Sequence, residues 1–211
     1  MVAYRGFDII KNGLLIGLFL QLAIGPVFFF IINLVLQKTI FDGIAGVFAV
    51  TIVDYLYITL AILGVGKILK KKKFKKMFGI ISSIILMIFG FFIIKSAISN
   101  HLIDAVVISS ESIISSFLSV FVITISSPLT IIFFTGIFTA KAVEYKYTKK
   151  QLYLFGFSVG SATFIFMLSS VFLFFFLKQT IPTEVIQFLN LIVGLILIVY
   201  GGIRILKNLK E

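Results

Sequence analysis

A single carboxylate interrupts one of the long apolar stretches of this 211-residue chain. Asp54 lies near the centre of the apolar run 42–66, and Thr51, three residues before it, shares its face of a helix. An acidic side chain at the centre of a bilayer costs at least about 2.5–3.5 kcal/mol on insertion scales. We therefore expect Asp54 to face protein rather than lipid. Its role is then proton exchange, binding of a substrate amine, or a hydrogen bond that locks two helices together.

Two of the three prolines lie inside apolar runs, Pro26 after Gly25 and Pro128 after Ser127. A proline inside a helix removes a backbone hydrogen bond and clashes with the carbonyl one turn back, at about 3 kcal/mol. In hydrocarbon, such a break persists only where protein or a wet cavity satisfies the freed carbonyl. Paired breaks in the two halves of a membrane protein are the sequence feature that best indicates a transport site.

Polar side chains accompany both breaks. Gln21 lies one turn before Gly25, and Thr124 precedes the second break. Hydroxyls near a break either line a polar path or satisfy the broken backbone. Thr163 lies near the position of the second half that corresponds to Asp54, so the second half has no matching carboxylate. The predicted transport or substrate path consists of Gln21, Gly25, Pro26, Thr51, Asp54, Thr124, Ser127, Pro128 and Thr163.

Membrane helices must position these residues. The chain is 60% hydrophobic, in runs longer than the roughly 18 residues that a membrane helix needs. We therefore predict an all-α integral membrane protein with six transmembrane helices, which form a single domain over residues 1–211. The six runs are about 13–36, 42–66, 77–97, 113–138, 152–177 and 184–206.

The placement of charge predicts how these helices cross the membrane. The net charge is +11, but the basic residues lie in short connections, where they set orientation and meet anionic headgroups rather than nucleic acid. With six spans, all 19 Lys and Arg residues except Lys38, Lys95 and Lys178 fall on one side. That side is predicted to be cytoplasmic, so both termini of this multi-pass plasma (inner) membrane protein are inside. The lysines of residues 67–76 either only set this topology or also bind anionic lipid or an acidic partner.

The two halves of the chain match in their glycine and proline positions. Pro26 pairs with Pro128, and Gly90 near the end of the third run pairs with Gly202 near the end of the sixth. Each half has an odd number of spans, so the halves cross the membrane in opposite senses and form an inverted repeat. The predicted division is repeat one at about 10–97, an outer loop at 98–112 and repeat two at about 113–207, with helices one and four broken at Gly25-Pro26 and Ser127-Pro128.

The chain resembles the lysine exporter (LysE-type) family of amino-acid exporters. The resemblance rests on Ile24-Gly25-Pro26, Asp54, the basic connection after the second span, Gly90, and the ending Gly202-Ile203-Arg204. It implies a six-helix secondary exporter of amino acids or related small metabolites in the inner membrane. The chain departs from the family pattern where Val27, Phe28 and Phe29 follow the first break, and where Ser127-Pro128 replaces Asn-Pro. Both departures remove amides from the expected cavity and favour a more apolar substrate.

The predicted function is therefore export without enzymatic chemistry. Asp54 would take up a proton from outside and release it inside as the substrate leaves. The expected partners are a small-molecule substrate, protons or another coupling ion, and membrane lipids, with a homo-oligomer left open. No cofactor and no nucleic acid are expected, and the absence of cysteine excludes a thiol oxidoreductase. The alternatives are a metal-ion exporter, for which one carboxylate supplies few oxygen ligands, and a non-transporting assembly subunit.

Overall fold

The computed structural model describes residues 6–21, 25–64, 72–98, 112–126, 128–178, 180 and 182–210. Every regular element in these residues is an α-helix, which agrees with the predicted all-α class. Ser127, most of the outer loop 98–112 and the start of the lysine-rich segment 67–76 lie outside the described residues. The helices are α1 (Gly6–Gln21), α2 (Pro26–Gln37), α3 (Ile40–Ile62), α4 (Lys72–Ile98), α5 (Ile113–Ile125), α6 (Pro128–Glu144), α7 (Lys149–Lys178) and α8 (Thr183–Lys210).

Three of these helices are long and apolar enough to cross a membrane, namely α3, α7 and the segment Glu184–Lys207 of α8. The pair α1 and α2 passes the same test as one span that bends by 78°. The described residues therefore contain three candidate spans, or four with the bent pair. The fourth apolar run is divided between α5, which has only 13 residues, and α6. The six-span inverted repeat stays a prediction.

Both helix breaks occur at the predicted prolines. Gly25 has an extended backbone, with φ −120° and ψ 179°, and α2 begins at Pro26 directly after it. Proline fits this first helical position because its missing N–H would have no helical partner there. In the second half, α5 ends at Ile125 and α6 begins at Pro128. The two prolines thus start new helices rather than kink existing ones.

Small residues bring α1 and α7 into close contact. Gly13 of α1 lies against Ser158 of α7, and Gly17 lies against Ala162. A methyl group on Gly17 would lie 2.6 Å from the Cβ of Ala162, so this approach requires glycine. The same pairing shows that α1 and α7 run in the same direction, which brings the end of α1 to the middle of α7.

The helices α4 and α8 form the second close pair, and they run in opposite directions. Gly90 faces Gly194, while Ser83, seven residues earlier in α4, faces Gly201, seven residues later in α8. A methyl group on Gly90 would lie 2.6 Å from the carbonyl oxygen of Gly194. The helices α5 and α6 both pack on α3, so α3 is central to the remaining part of the bundle.

These contacts give the bundle two distinct ends. At one end, which we call the turn end, α2 turns into α3, Ser116 donates a 2.6 Å hydrogen bond to Asp42, and the ammonium of Lys178 donates to the carbonyl of Lys38 at 2.9 Å. At the other, the basic end, α1, α4 and α7 begin and α8 ends. Lys38 and Lys178 are two of the three basic residues that the charge pattern separates from the rest.

The short helix α2 lies inside the bundle at the turn end. Every residue from Phe30 to Leu36 is buried, and α2 contacts α3, α5, α7 and α8. A helix that is apolar on all sides is expected to be surrounded by protein. Its buried polar residue, Asn33, donates a hydrogen bond to the Asn190 side chain of α8 and accepts one from Gln37, at the end of α2, at 3.0 Å. These amides fix the position of α2 among its neighbours.

Candidate substrate cavity

A cavity of about 780 Å³ lies where the two broken helices meet. Gln21 at the end of α1 and Gly25 before α2 line it on one side, and Thr124 near the end of α5 and Thr130 near the start of α6 line it on the other. The central helices α3 and α7 and Tyr200 of α8 complete the wall. The breaks at the two prolines therefore leave a space between helix ends in the middle of the bundle, and this space is the cavity.

Asp54 belongs to a polar chain across this wall. The Gln21 amide donates a 2.8 Å hydrogen bond to the Thr163 hydroxyl oxygen, and the Thr163 side chain is also a hydrogen-bonding neighbour of the Asp54 carboxyl. Since the hydroxyl oxygen accepts from Gln21, its hydrogen is available to the carboxyl. Asp54 is only 6% exposed and Thr163 only 1%. The chain thus links α1, α7 and α3 through groups that face protein and cavity rather than lipid.

The carbonyl freed by the second break is satisfied by a side chain from another helix. The Tyr57 hydroxyl of α3 donates a 2.5 Å hydrogen bond to the carbonyl of Ile125, the last residue of α5. The Ser126 hydroxyl donates at 2.6 Å to the carbonyl of Val122, one turn back. Thr124 also bonds to its own helix, at 2.7 Å, while lining the cavity. Of these hydroxyls, that of Thr124 lines the cavity, whereas the carbonyl of Ile125 is satisfied from α3.

Six of the nine predicted path residues line the cavity. Thr51 does not: it is buried on α3, and its hydroxyl donates at 2.7 Å to the carbonyl of Val47. Ser127 lies outside the described residues, and Pro128 begins α6. That any of these residues carries transport stays a prediction. The six that line the cavity are Gln21, Gly25, Pro26, Asp54, Thr124 and Thr163.

Several apolar residues of the cavity were not predicted. Phe133, Phe134 and Ile137 lie on one face of α6 together with the polar residue Thr130, and Phe28, Met167 and Tyr200 add to the wall. The chain has 26 phenylalanines, so residue type gave no signal. The spacing does give one, because 130, 133, 134 and 137 follow the i, i+3, i+4, i+7 pattern of one helical face that starts beside the second break.

The cavity is electrostatically simple. Among the described residues that line it, Asp54 is the only carboxylate and none is Lys, Arg or His. The helices α2 and α6 both start at the cavity, and the N-terminus of a helix carries partial positive charge. The described part of the chain contains no group of three or more His, Cys, Asp or Glu residues placed to hold a metal ion. The site can therefore pair one cationic group with a carboxylate and leave an apolar body against aromatic rings and Met167.

Apolar helices of membrane-spanning length, two broken helices and a cavity at their meeting point are the features expected of a membrane transport protein. The sequence model of the LysE type translocator family matches residues 18–207. The chain belongs to this family, and the resemblance noted in its sequence is confirmed. Neither a curated protein sequence nor a solved structure gives a significant match to the chain.

Proposed function

We propose that this protein is a secondary exporter of amino acids or related small metabolites in the inner membrane, coupled to protons through Asp54. The observation that carries the proposal is the position of Asp54 on the wall of the cavity between the broken helices, beside the Thr163 hydroxyl that accepts a hydrogen bond from Gln21. A buried carboxylate in a membrane helix is costly unless it serves a function or holds helices together. Its place on the cavity wall favours a function.

Substrate recognition follows from what the wall offers. The ammonium group of an amino acid pairs with the Asp54 carboxylate, and its carboxylate lies towards the helix N-termini at the two breaks, as in other transporters with discontinuous helices. Phe28, Phe134 and Met167 surround an apolar side chain. The volume, about 780 Å³, lies within the range of small-molecule pockets, roughly 300–1,000 Å³. Apolar amino acids and their close relatives fit this lining better than substrates with a second charge.

Competition for one carboxylate accounts for the coupling. A protonated Asp54 has no charge to pair with an ammonium group, so a proton and a substrate do not bind there together. A proton that enters from outside must leave to the inside before substrate binds, and substrate must leave to the outside before the next proton binds. Export is then driven by the proton gradient. No second ionisable group is needed for this exchange.

The shape of the bundle supports a conformation that is closed at the turn end. The buried helix α2 closes the turn end, whereas the cavity continues along α6 towards the basic end. The positive-inside rule makes the basic end cytoplasmic. In the proposed repeats, α1 corresponds to α5, α3 to α7 and α4 to α8. The observed contacts of α1 with α7, of α5 with α3 and of α4 with α8 are consistent with this correspondence, because exchanging the two repeats turns the first contact into the second and leaves the third unchanged. Alternating access would then move one repeat against the other.

Efflux measurements test this proposal. Cells loaded with labelled amino acids are compared for the wild type, Asp54→Asn and Asp42→Asn, since Asp42 is a second buried carboxylate on α3 that does not line the cavity. We expect Asp54→Asn to abolish gradient-driven efflux and Asp42→Asn to retain it. Counterflow in liposomes at equal pH on both sides separates binding from coupling. Equal export by the wild type and Asp54→Asn would refute the coupling role.

The metal-ion alternative receives less support from the cavity. A hard cation takes six or more oxygen ligands, commonly several carboxylates. The described wall offers one carboxylate, together with the side-chain oxygens of Gln21, Thr124, Thr130, Thr163 and Tyr200. The apolar surface of the same wall suits an organic substrate.

A further inference from the structure

Part of the cavity wall lies on the surface of the bundle. Phe133 is 55% exposed and Tyr200 is 41% exposed, although both line the cavity. Gly136, on the same side of α6, is exposed as well, and a methyl group there would meet no other atom within 4 Å. The cavity therefore has a mouth on the side of the bundle, bordered by Phe133 and Gly136 of α6 and by Tyr200 of α8.

The packing of the helices explains why this mouth is open. The helix α6 packs on α3 and touches α4 and α7 only slightly, whereas α8 packs along α4. Among the described residues, α6 and α8 thus belong to different close pairs and do not pack closely against each other. Gly136 adds to the opening because it places no side chain there.

The mouth lies at the depth of the hydrocarbon. Gly136 precedes Lys141 by five residues, and Tyr200 precedes Arg204 by four and Lys207 by seven, so helical rise places the mouth about 6 to 10.5 Å deeper than the backbone at these basic residues. Lysines near helix ends extend their ammonium groups to the headgroup level. The neighbouring exposed residues are apolar, for example Val199 and Ile203. The mouth therefore faces the lipid tails of the leaflet at the basic end.

We propose that this mouth is a lateral entrance through which small amphipathic ammonium compounds pass from the leaflet at the basic end into the cavity. The identity of the cargo rests on the proposed function, but the existence of the entrance does not. An apolar amino acid or a related amine places its ammonium group among the headgroups and its apolar body in the hydrocarbon. The Tyr200 side chain can contact both the ammonium group and the apolar body, since its ring is apolar and also attracts cations. From the mouth, the ammonium group reaches Asp54 without crossing the closed turn end.

The absence of cysteine from the chain allows a direct test. We compare Gly136→Cys with Gly202→Cys, because both glycines have open space for a side chain and Gly202 does not line the cavity. A thiol that faces lipid tails stays protonated, so Gly136→Cys is tested with membrane-partitioning phenylmercury acetate, which exchanges its acetate for the sulfur of the thiol and releases acetic acid, and we expect it to react. Hexylamine at ten times its half-saturating concentration should slow that reaction about tenfold by mass action. Labelling of Gly202→Cys is expected not to respond to hexylamine.

Two results would refute the lateral entrance and leave the proposed function unaffected. One is labelling of Gly136→Cys only by a membrane-impermeant, water-soluble maleimide added from the basic side, which would make the mouth aqueous. The other is a disulfide between Gly136→Cys residues of two chains, which would mean that a second copy covers the mouth. Neither readout depends on transport, so the labelling result stands even if Asp54→Asn exports as the wild type does.

A pair of larger substitutions tests whether cargo uses the mouth. Gly136→Leu places a branched side chain in the opening, and Gly202→Leu places the same side chain elsewhere on an open helix surface. We expect Gly136→Leu to reduce efflux of labelled leucine at least tenfold and Gly202→Leu to retain it, with equal amounts of folded protein by size-exclusion chromatography. Wild-type efflux in Gly136→Leu would overturn the entrance.

Discussion

Replacement of Thr163 by valine removes one hydroxyl from the centre of the candidate site and leaves its shape nearly unchanged. Thr163 is 1% exposed, accepts a 2.8 Å hydrogen bond from Gln21 and is a hydrogen-bonding neighbour of Asp54. The substitution therefore leaves the Gln21 amide without its acceptor and the Asp54 carboxyl without this neighbour. If the chain of three residues orders the carboxylate for substrate and proton, transport must fall.

The magnitude follows from the cost of a buried polar group that has lost its partner. Such a loss costs about 1–3 kcal/mol. Gln21 is only half-buried and can recover part of this from water in the cavity, whereas Asp54 is nearly fully buried. We therefore expect about 1.4–2.8 kcal/mol, which corresponds to roughly a tenfold to hundredfold loss in the ratio of maximal rate to half-saturating substrate concentration.

Purified protein in liposomes provides the assay, with an imposed pH difference and labelled leucine as the substrate. Thr163→Ser is the matched control, because it keeps the hydroxyl and loses only a methyl group, and we expect it to stay within a few-fold of the wild type. The reasoning is refuted if Thr163→Val transports like the wild type while Thr163→Ser is impaired. That outcome would show that the position serves helix packing and that the Asp54 carboxyl works without the chain.

Two further predictions concern the elements around the cavity. Tyr57→Phe leaves the carbonyl of Ile125 without its donor, so we expect the free energy of unfolding to fall by about 1–3 kcal/mol and the unfolding temperature of the detergent-solubilised protein to fall with it. An unchanged melting curve would mean that water satisfies this carbonyl instead. Gly90→Ala places a methyl group 2.6 Å from a backbone carbonyl oxygen of α8 and should destabilise the protein by about 1–3 kcal/mol. The control Gly202→Ala places its methyl group where no atom lies within 4 Å and should unfold at the wild-type temperature. Equal unfolding temperatures of the two variants would contradict the close packing of α4 and α8.

The features that could be predicted from the sequence depend only on a residue and its neighbours along the chain. A proline in an apolar run starts or breaks a helix wherever the run lies in the bundle, and both Pro26 and Pro128 begin helices. A carboxylate in an apolar run must avoid lipid, and Asp54 is buried on the cavity wall. These inferences need no knowledge of tertiary structure. The all-α class and the family were accessible for the same reason.

The contacts that complete the site join residues far apart in the chain. Gln21 and Thr163 are 142 positions apart, and Tyr57 and Ile125 are 68 apart, so no local pattern indicates their pairing. Thr51 shows the limit of spacing arguments. A three-residue step on a helix leaves two side chains about 60° apart, and the Thr51 hydroxyl turns to its own backbone instead of the cavity.

The helix α3 contributes a functional side chain beside each of the two helix breaks. Asp54 of α3 belongs to the polar chain beside the first break, and Tyr57, one turn further, holds the last carbonyl of α5 at the second break. Any movement of α3 that changes the surroundings of the Asp54 carboxyl also strains or releases the bond from Tyr57 to Ile125. In our proposal, the proton and the substrate act on one half of the chain, and α3 transmits their exchange to the broken helix of the other half.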